Sequence, residues 1–333
     1  MGLYYQDEHV TLYHGDSLEI LPSLDIEARA LLTDPPYFKV KNEPWDNQWK
    51  KPEHFLKWLG DFLDTAKPLI AANGSVWVFA SPQMTTRVEL LVGERFNVLN
   101  NIRWVKSKGW HMKAKVESLR SFLTPWEGVI FAEQYHDVYD DRAKALHREV
   151  FAPIGRYLQT ERKRAGVEIN DLAQLFPSKT GGLTGAVNNW EIGASIPSRE
   201  QYAQIKVFLN GGGGDYLRRE YEDLLREYED LRRPFTAEKR ELSTDIWNFP
   251  TVPPYPGKHP CEKPQDMLQH MIQCSTREGD TVLDPFAGSG STLIATKALR
   301  RKSVGIEMNE QYCEQIATRL TRQPEQLKFD LAT

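Results

Sequence analysis

Short apolar runs alternate with amphipathic stretches in the first third of the chain, which is the pattern of an α/β fold. Val10–His14 and Ala30–Leu32 are predicted strands, and Ser75–Ala80 is a continuous apolar run typical of a buried parallel strand. Apolar residues recur at helical spacing through Pro52–Leu69, and a further helix is predicted over Met84–Glu94. These elements predict a doubly wound sheet covered by helices.

The same alternation continues after residue 97 and returns near the other end of the chain. Asn97–Lys106 and Glu127–Ala132 are predicted strands. Thr281–Leu283 and Ser303–Ile306 are two more apolar strands, and each of them precedes a predicted helix. The second of these helices is expected over Asn309–Leu320.

The strand Ala30–Leu32 leads into Asp34-Pro35-Pro36-Tyr37, the most informative motif of the chain. Two successive prolines lack the backbone N–H that a strand ladder needs, so the strand has to end in a stiff, extended elbow. The elbow presents a carboxylate, carbonyl oxygens and an aromatic ring side by side. That set suits a flat heterocycle with an exocyclic amine, and the alternative is a plain turn after a strand.

A second motif joins a strand to a helix and has the sequence Asp284-Pro285-Phe286-Ala287-Gly288-Ser289-Gly290-Ser291-Thr292. Gly288 and Gly290 allow a tight turn and the close approach of a ligand to the backbone. Because neither G-x-G-x-x-G nor a P-loop is present, phosphate binding is not indicated. Glu307 ends the next strand, where a carboxylate accepts hydrogen bonds from both hydroxyls of a ribose. The alternative is an ordinary surface glutamate at a helix start.

Composition restricts the class of protein. The 333 residues are 40% hydrophobic and 26% charged, which suits a soluble globular protein of one large domain or two smaller ones. No run approaches the ~20 apolar residues of a membrane span, and the first residues lack the apolar core of a signal peptide. The three cysteines form no CxxC pair, so neither a disulfide framework nor a metal site is expected. We expect an intracellular, cytoplasmic protein.

Asp34–Tyr37 and the glycine loop together resemble the motifs of the DNA amino-methyltransferases, which use S-adenosylmethionine (AdoMet). The sequence His259-Pro260-Cys261-Glu262-Lys263-Pro264 resembles the element that precedes the glycine loop in that family. The order of the motifs resembles the beta class, in which the Rossmann-like chain is circularly permuted. The resemblance covers about residues 8–135 and 244–321. It implies a permuted Rossmann-like methyltransferase sheet with an inserted all-α domain.

The resemblance also implies a set of catalytic and cofactor-binding residues. The catalytic set is the elbow itself, from Asp34 to Tyr37. Asp16 follows the first predicted strand and would hold the adenine amine of AdoMet, although it also suits a helix N-cap. The other implied cofactor-binding residues are Lys263, Pro264, Asp284, Pro285, Phe286, Gly288, Ser289, Gly290, Ser291, Thr292, Glu307 and Met308.

The middle of the chain departs from the α/β pattern. Residues 154–166 predict a basic helix with a glycine stop, and shorter helices are predicted over Ile169–Leu175, Leu183–Glu191 and Arg199–Leu209. This pattern resembles the helix-turn-helix domains of phage-repressor type, which read the major groove of DNA. The turn is about four residues longer than in that family, so the register of the base-contacting residues stays open. The alternative is a helical insertion that only packs on the catalytic domain.

Candidate DNA contacts come from the insertion and from one basic stretch of the catalytic region. They are Arg162, Lys163, Arg164, Thr184, Asn188, Asn189, Lys106, Lys108 and Lys113. The net charge of −4 provides no overall basic field, so only local groups of this kind would neutralise phosphates. Charged stretches are more often solvated faces.

Gly211–Gly214 predicts a flexible break before a charged helix over 215–233. Its leucines and tyrosines recur every three or four residues, but two heptads are short for a coiled coil. A helix on the domain surface is therefore expected, with a homodimer contact as the alternative. The predicted domains are a catalytic domain of residues 1–150 and 244–333 and an inserted target-recognition region of residues 151–243. The helix-turn-helix is placed at 154–210.

The predicted reaction is methyl transfer from AdoMet to N6 of adenine at specific sites in double-stranded DNA. The base is flipped out and stacks on Tyr37, while Asp34 and the Pro35 carbonyl accept its N–H bonds. In the resembling families an aspartate at the first motif position usually accompanies adenine, and cytosine N4 is the alternative. Rival predictions are a non-enzymatic helix-turn-helix regulator and an RNA methyltransferase. A cognate restriction endonuclease is a second candidate partner.

Overall fold

The computed structural model describes residues 2–40, 43–106, 115–134, 141–177, 182–237 and 242–321. Their contacts divide the chain into two compact units. The sheet unit comprises residues 1–134 and 234–333, and the helical unit comprises residues 135–233. Within the described residues, no helix is both long and apolar enough to cross a bilayer.

Strands occur in the sheet unit and helices in both units. The strands are β1 (Gly2–Gln6), β2 (Val10–His14), β3 (Ala28–Thr33), β4 (Ile70–Ala80), β5 (Asn97–Val105), β6 (Trp126–Glu133), β7 (Ile246–Trp247), β8 (Thr281–Asp284) and β9 (Lys302–Glu307). The helices are α1 (Ser17–Ile20), α2 (Pro52–Ala66), α3 (Thr85–Gly93), α4 (Asp141–Arg164), α5 (Ile169–Ala173), α6 (Ala186–Glu191), α7 (Arg199–Asn210), α8 (Tyr221–Leu231), α9 (Gln265–Ser275), α10 (Ser291–Ala298) and α11 (Glu310–Thr321).

The strands form one sheet in the order β1-β2-β9-β8-β3-β4-β6-β5-β7. Neighbours from β2 to β4 are parallel, whereas β6 is antiparallel to both β4 and β5. The N-terminal strand β2 lies beside the C-terminal strand β9, with His14 opposite Glu307. In an unpermuted Rossmann-like chain, the strand beside β9 would follow it in sequence. Here that strand is β2, from the N-terminal end, as the permuted order predicts.

Both faces of the central strands are buried, which explains their continuous apolar sequences. In β4, Val76 and Val78 pack with α2 and α3 on one face, in a cluster that includes Phe55. Trp77 and Phe79 point to the opposite face and pack with residues of α9. The helices on the two faces complete three layers. Because the strands from β2 to β4 are parallel, their carboxyl ends lie together at one edge of the sheet.

The helical unit has its own core. Phe151, Ile154 and Leu158 of α4 pack against buried residues of the other four helices, among them Trp190 and Leu224. The helix α4 begins at Asp141 and continues through Pro153, because a proline removes only one of the helix hydrogen bonds. The predicted boundary at residue 150 is therefore wrong, since it falls inside this helix.

The other end of the helical unit also differs from the prediction. The unit ends at 233, ten residues before the predicted boundary at 243. The charged helix is limited to α8, and its apolar stripe is buried in the core of the unit, where Tyr228 lies 4.7 Å from Phe151 between ring centroids. Its charged residues stay on the outer side, as expected for a charged helix on the domain surface, and the homodimer alternative loses the exposed stripe on which it depended.

Candidate active site

Four acidic residues follow the carboxyl ends of four adjacent parallel strands. Asp16 follows β2, Asp34 follows β3, and Asp284 and Glu307 end β8 and β9. All four line one cavity of about 680 Å³. The predicted site residues that line it are Asp16, Asp34, Pro35, Pro36, Tyr37, Lys263, Asp284, Pro285, Phe286, Gly288, Ser289, Ser291, Thr292, Glu307 and Met308. The structure therefore brings motifs from both ends of the chain to one site.

Two predicted cofactor-binding residues do not line this cavity. Pro264 is buried and caps the N-terminus of α9, where its carbonyl accepts from the Leu268 N–H at 3.2 Å. Gly290 has a φ of +74°, and a Cβ added there would lie 2.8 Å from the side chain of Ile316. Both residues shape the backbone beside the site, and their assignment as cofactor contacts stays a prediction.

Glu307 ties the glycine loop to the tip of β9. Its Oε2 accepts from the Gly288 N–H at 2.8 Å and its Oε1 from the Asn309 N–H at 2.8 Å. Burial raises the pKa of this carboxyl, against the backbone N–H groups that favour its ionised form. Asp16 caps α1 in the predicted way, because its Oδ1 accepts from the Leu18 N–H at 2.8 Å.

Asp284 is the most strongly perturbed carboxyl at this end of the cavity. Burial raises its pKa to about 7, while hydrogen bonds from the Thr292 side chain and the Phe286 N–H oppose that effect. The carboxylates of Asp34 and Glu307 add a smaller upward contribution. The group thus changes its charge near neutral pH.

This end of the cavity fits AdoMet. Asp16, Asp284 and Glu307 provide hydrogen-bond acceptors and negative charge for a molecule with two hydroxyls, an amine and two cationic centres. The apolar walls include Phe286 and Trp58, whose ring centroids are 5.6 Å apart, and they suit a purine ring. The volume also matches that of a drug-sized ligand site.

Asp34 lies at the other end of the cavity, beside a lysine from the opposite end of the chain. Its Oδ2 accepts a hydrogen bond from Nζ of Lys263, which is only 7% exposed. Its Oδ1 is buried and has no hydrogen-bond partner among the described residues. Burial raises the pKa of Asp34, and the neighbouring Lys263 ammonium opposes that rise. Lys263, which was predicted to contact the cofactor, lines the cavity, and its ammonium donates to the Asp34 carboxylate.

Tyr37 is held by a residue that sequence reasoning did not assign to the site. Its hydroxyl donates to Glu127 Oε2 at 3.3 Å, and Glu127 Oε1 accepts from Lys106 Nζ. The Lys106 ammonium is thus paired with a carboxylate, and its assignment as a DNA contact stays a prediction. The only sequence signal for Glu127 was a charge at the start of an apolar strand.

Among the other predicted DNA contacts, Arg162 is clearly misassigned. Its guanidinium is buried and binds Glu191 through both carboxylate oxygens, at 2.5 and 3.0 Å. The Arg164 guanidinium donates a hydrogen bond to Glu161. The Thr184 hydroxyl donates to the Phe176 carbonyl at 3.0 Å. Thr184 and the bridge between Pro177 and Leu183 occupy the residues before α6, which explains why that helix begins at Ala186 rather than at Leu183.

Four predicted DNA contacts stay exposed on the helical unit. They are Lys163, Arg164, Asn188 and Asn189. The two asparagines lie between Val187 and Trp190, which face inward, and are themselves on the outer face of the helix. Lys108 and Lys113 lie outside the described residues.

A protein-family model described as DNA methylase matches residues 28–318. This match covers most of the chain, and the chain belongs to that family of N6- and N4-directed methylases. The predicted methyltransferase fold, the methylation of DNA and AdoMet as the cofactor are thereby confirmed. The chain is an enzyme, so the alternative of a non-enzymatic regulator is rejected.

Individual relatives are similar over almost their whole length. The type II methyltransferase M2.DpnII of Streptococcus pneumoniae is 26% identical over 97% of this chain and 93% of its own. The DNA adenine methyltransferase YhdJ of Escherichia coli is 23% identical over 95% of this chain and 84% of its own. Among solved structures, the cytosine-N4-specific PvuII DNA methyltransferase has a TM-score of 0.56 at 14% identity, over 99% of this chain and 94% of its own, which supports the fold.

Proposed function

We propose that this enzyme methylates N6 of adenine at specific sites in duplex DNA, on a base flipped out of the helix. One observation carries the proposal. The Oδ1 atom of Asp34 is a buried acceptor with no partner among the described residues, in an elbow that also supplies the Tyr37 ring. A buried acceptor without a partner costs about 1–3 kcal/mol, and an exocyclic N–H of a base would remove that cost.

The arrangement activates an amine by orienting it. Bound AdoMet supplies an electrophilic methyl group on its sulfonium. Asp34 accepts an N–H bond of the base amine, so the nitrogen moves towards tetrahedral geometry and its lone pair becomes available to the methyl carbon. As the N–C bond forms and the S–C bond breaks, the nitrogen becomes cationic and loses a proton. The Asp34 carboxylate, whose pKa burial raises, is a suitable acceptor for that proton.

Adenine is the preferred target for two reasons. The elbow begins with aspartate, and a relative similar over most of the chain is named a DNA adenine methyltransferase. Cytosine N4 is the second candidate, because the cytosine-N4-specific PvuII enzyme shares the fold.

The test is methyl transfer followed by nucleoside mass spectrometry. Duplex DNA is incubated with the enzyme and AdoMet labelled in its methyl group, with RNA as a parallel substrate. We expect labelled N6-methyladenine in DNA and none in the Asp34→Asn variant, which should still bind AdoMet. Labelled N4-methylcytosine would overturn the choice of base, and label in RNA alone would overturn the choice of nucleic acid.

We propose further that the helical unit selects the DNA sequence through the exposed face of α6. Asn188 and Asn189 lie on that face, and asparagine pairs with adenine through two hydrogen bonds in the major groove. The double variant Asn188→Ala/Asn189→Ala is compared with Val207→Ala, an equally exposed change on α7. We expect altered methylation sites only in the first variant. An unchanged map of modified sites would show that this face does not select the sequence.

A cognate restriction endonuclease is proposed as the biological counterpart of this activity. The support is that M2.DpnII, which is similar over nearly the whole chain, is named a type II methyltransferase. DNA methylated by the enzyme is tested for protection against endonucleases that cut at the mapped sites. Cleavage that proceeds unchanged at every such site would contradict a protective role.

A further inference from the structure

Four charged side chains and one phenol form a partly buried cluster beside the elbow. The cations are Lys106 and Lys263, and the carboxylates are Asp34 and Glu127, with Tyr37 between them. Glu127 lies near the start of β6, opposite Trp104 of β5, and its side chain is 17% exposed. The two positive and two negative charges cancel, so the cluster is neutral as a whole.

Glu127 contacts both halves of the substrate-facing elbow. Its Oε2 accepts from the Tyr37 hydroxyl at 3.3 Å. The same oxygen lies 3.8 Å from Nζ of Lys263, which in turn holds Oδ2 of Asp34. One carboxylate, which belongs to neither motif, therefore contacts both the Tyr37 hydroxyl and the lysine that holds Asp34, while the Tyr37 hydroxyl also favours the ionised form of Asp34 and lowers its pKa.

We propose that Glu127 is a positioning residue for methyl transfer, which holds the Tyr37 ring and the Lys263–Asp34 pair in one fixed arrangement. The inference rests on the proposed function of the elbow. Through Lys263, Glu127 keeps one oxygen of Asp34 engaged, so that only Oδ1 is left for the substrate. Through its own hydrogen bond, it fixes the ring on which the base would stack.

A role in stability alone does not account for this arrangement. A single surface cation would satisfy a glutamate at a strand start, whereas Glu127 is partly buried and contacts two lysines and a phenol. Burying ions costs free energy that the pairing only partly recovers, so apolar residues would be at least as stable here. The cluster instead provides what transfer needs, which is a catalytic acceptor and a ring held within tenths of an ångström.

The charge of Glu127 also acts on the acceptor itself. The groups that face Asp34 are Lys263, Glu127 and Tyr37, with the carboxyl of Asp284 farther along the cavity. Burial has the largest effect and raises the pKa of Asp34. The Lys263 ammonium lowers that pKa, and the charge of Glu127 raises it. Neutralising Glu127 should therefore lower the pKa of Asp34, and the acidic limb of the kcat profile should move to lower pH.

The matched variants are Glu127→Gln and Glu133→Gln. Glu133 is a buried glutamate on the same strand, and it bonds to Asn97 at 3.0 Å rather than to the elbow. We expect Glu127→Gln to lower kcat by roughly 10- to 100-fold, the scale of a misplaced reacting group, with the dissociation constant of AdoMet unchanged. Glu133→Gln should change neither kcat nor the pH profile.

A double variant separates positioning from simple charge balance. Glu127→Gln/Lys106→Gln restores the neutrality of the cluster but not the contact with Lys263. We expect kcat to stay low in the double variant, and full recovery would overturn the positioning role. Wild-type activity and an unshifted pH profile in Glu127→Gln would also overturn it. If the wild-type enzyme failed to methylate adenine or cytosine in DNA, the proposed function would fail instead.

Discussion

The carboxyl group of Asp284 should make the binding of AdoMet depend on pH. Burial raises its pKa to about 7, so that near neutrality the free enzyme is a mixture of protonated and ionised forms. AdoMet carries a sulfonium and an ammonium, and both cations favour the ionised carboxylate. Because the free carboxyl holds a proton that the complex lacks, acid should weaken binding.

The size of the effect follows from the ionised fraction. With a pKa of about 7, that fraction rises from about one tenth at pH 6 to about nine tenths at pH 8. If affinity follows the ionised fraction, the dissociation constant falls about tenfold over this range, which is about 1.4 kcal/mol. Asp284→Asn cannot ionise, so its weaker binding should not vary in this way.

Calorimetric titration at pH 6, 7 and 8 measures this dependence directly. Two buffers with different ionisation enthalpies give the number of protons released, which we expect to be close to one at pH 6 and to approach zero at pH 8. S-adenosylhomocysteine lacks the sulfonium charge and shows which cation is responsible. A constant dissociation constant in the wild type, or the same pH dependence in Asp284→Asn, would refute the assignment.

Three further predictions concern stability and the elbow. Gly290→Ala should lower the free energy of unfolding by about 1–3 kcal/mol, because Gly290 has a positive φ. Gly212→Ala should leave that free energy unchanged, because no atom lies within 4 Å of the added Cβ. Thermal denaturation of the two variants measures the difference. Arg162→Met should destabilise the helical unit by about 3–5 kcal/mol in chemical unfolding, with no change for the exposed Lys163→Met. Weaker DNA binding by Arg162→Met at unchanged stability would contradict the ion-pair role. Tyr37→Phe keeps the ring and should lower kcat less than Tyr37→Ala, and equal losses in steady-state kinetics would show that the ring is not what matters.

Features that depend on local backbone chemistry were predictable from the sequence. The prolines after Thr33 can only end a strand, and the glycines of the loop permit one sharp turn into α10. The order of these motifs along the chain then placed β2 beside β9. The sheet and most of the cavity lining followed from these few constraints.

Features that depend on distant partners were not predictable. Lys263 and Asp34 are separated by 229 residues, and nothing near Lys263 in the sequence indicates that its ammonium would reach the elbow. Arg162 belongs to a basic helix that resembles a DNA-binding surface, yet the rotation of that helix turns it inward to Glu191. Residue type alone does not show whether a cation faces solvent or a buried carboxylate.

The unequal distribution of charge along the cavity bears on turnover. Lysines neutralise the carboxylates at the elbow, whereas Asp16, Asp284 and Glu307 form no salt bridge within the described part of the chain. Methyl transfer converts a sulfonium into a neutral thioether, so the attraction of these three carboxylates is greater before the reaction than after it. The same acidic wall that gathers the donor should thus favour departure of the spent cofactor, and product inhibition should weaken as Asp284 ionises.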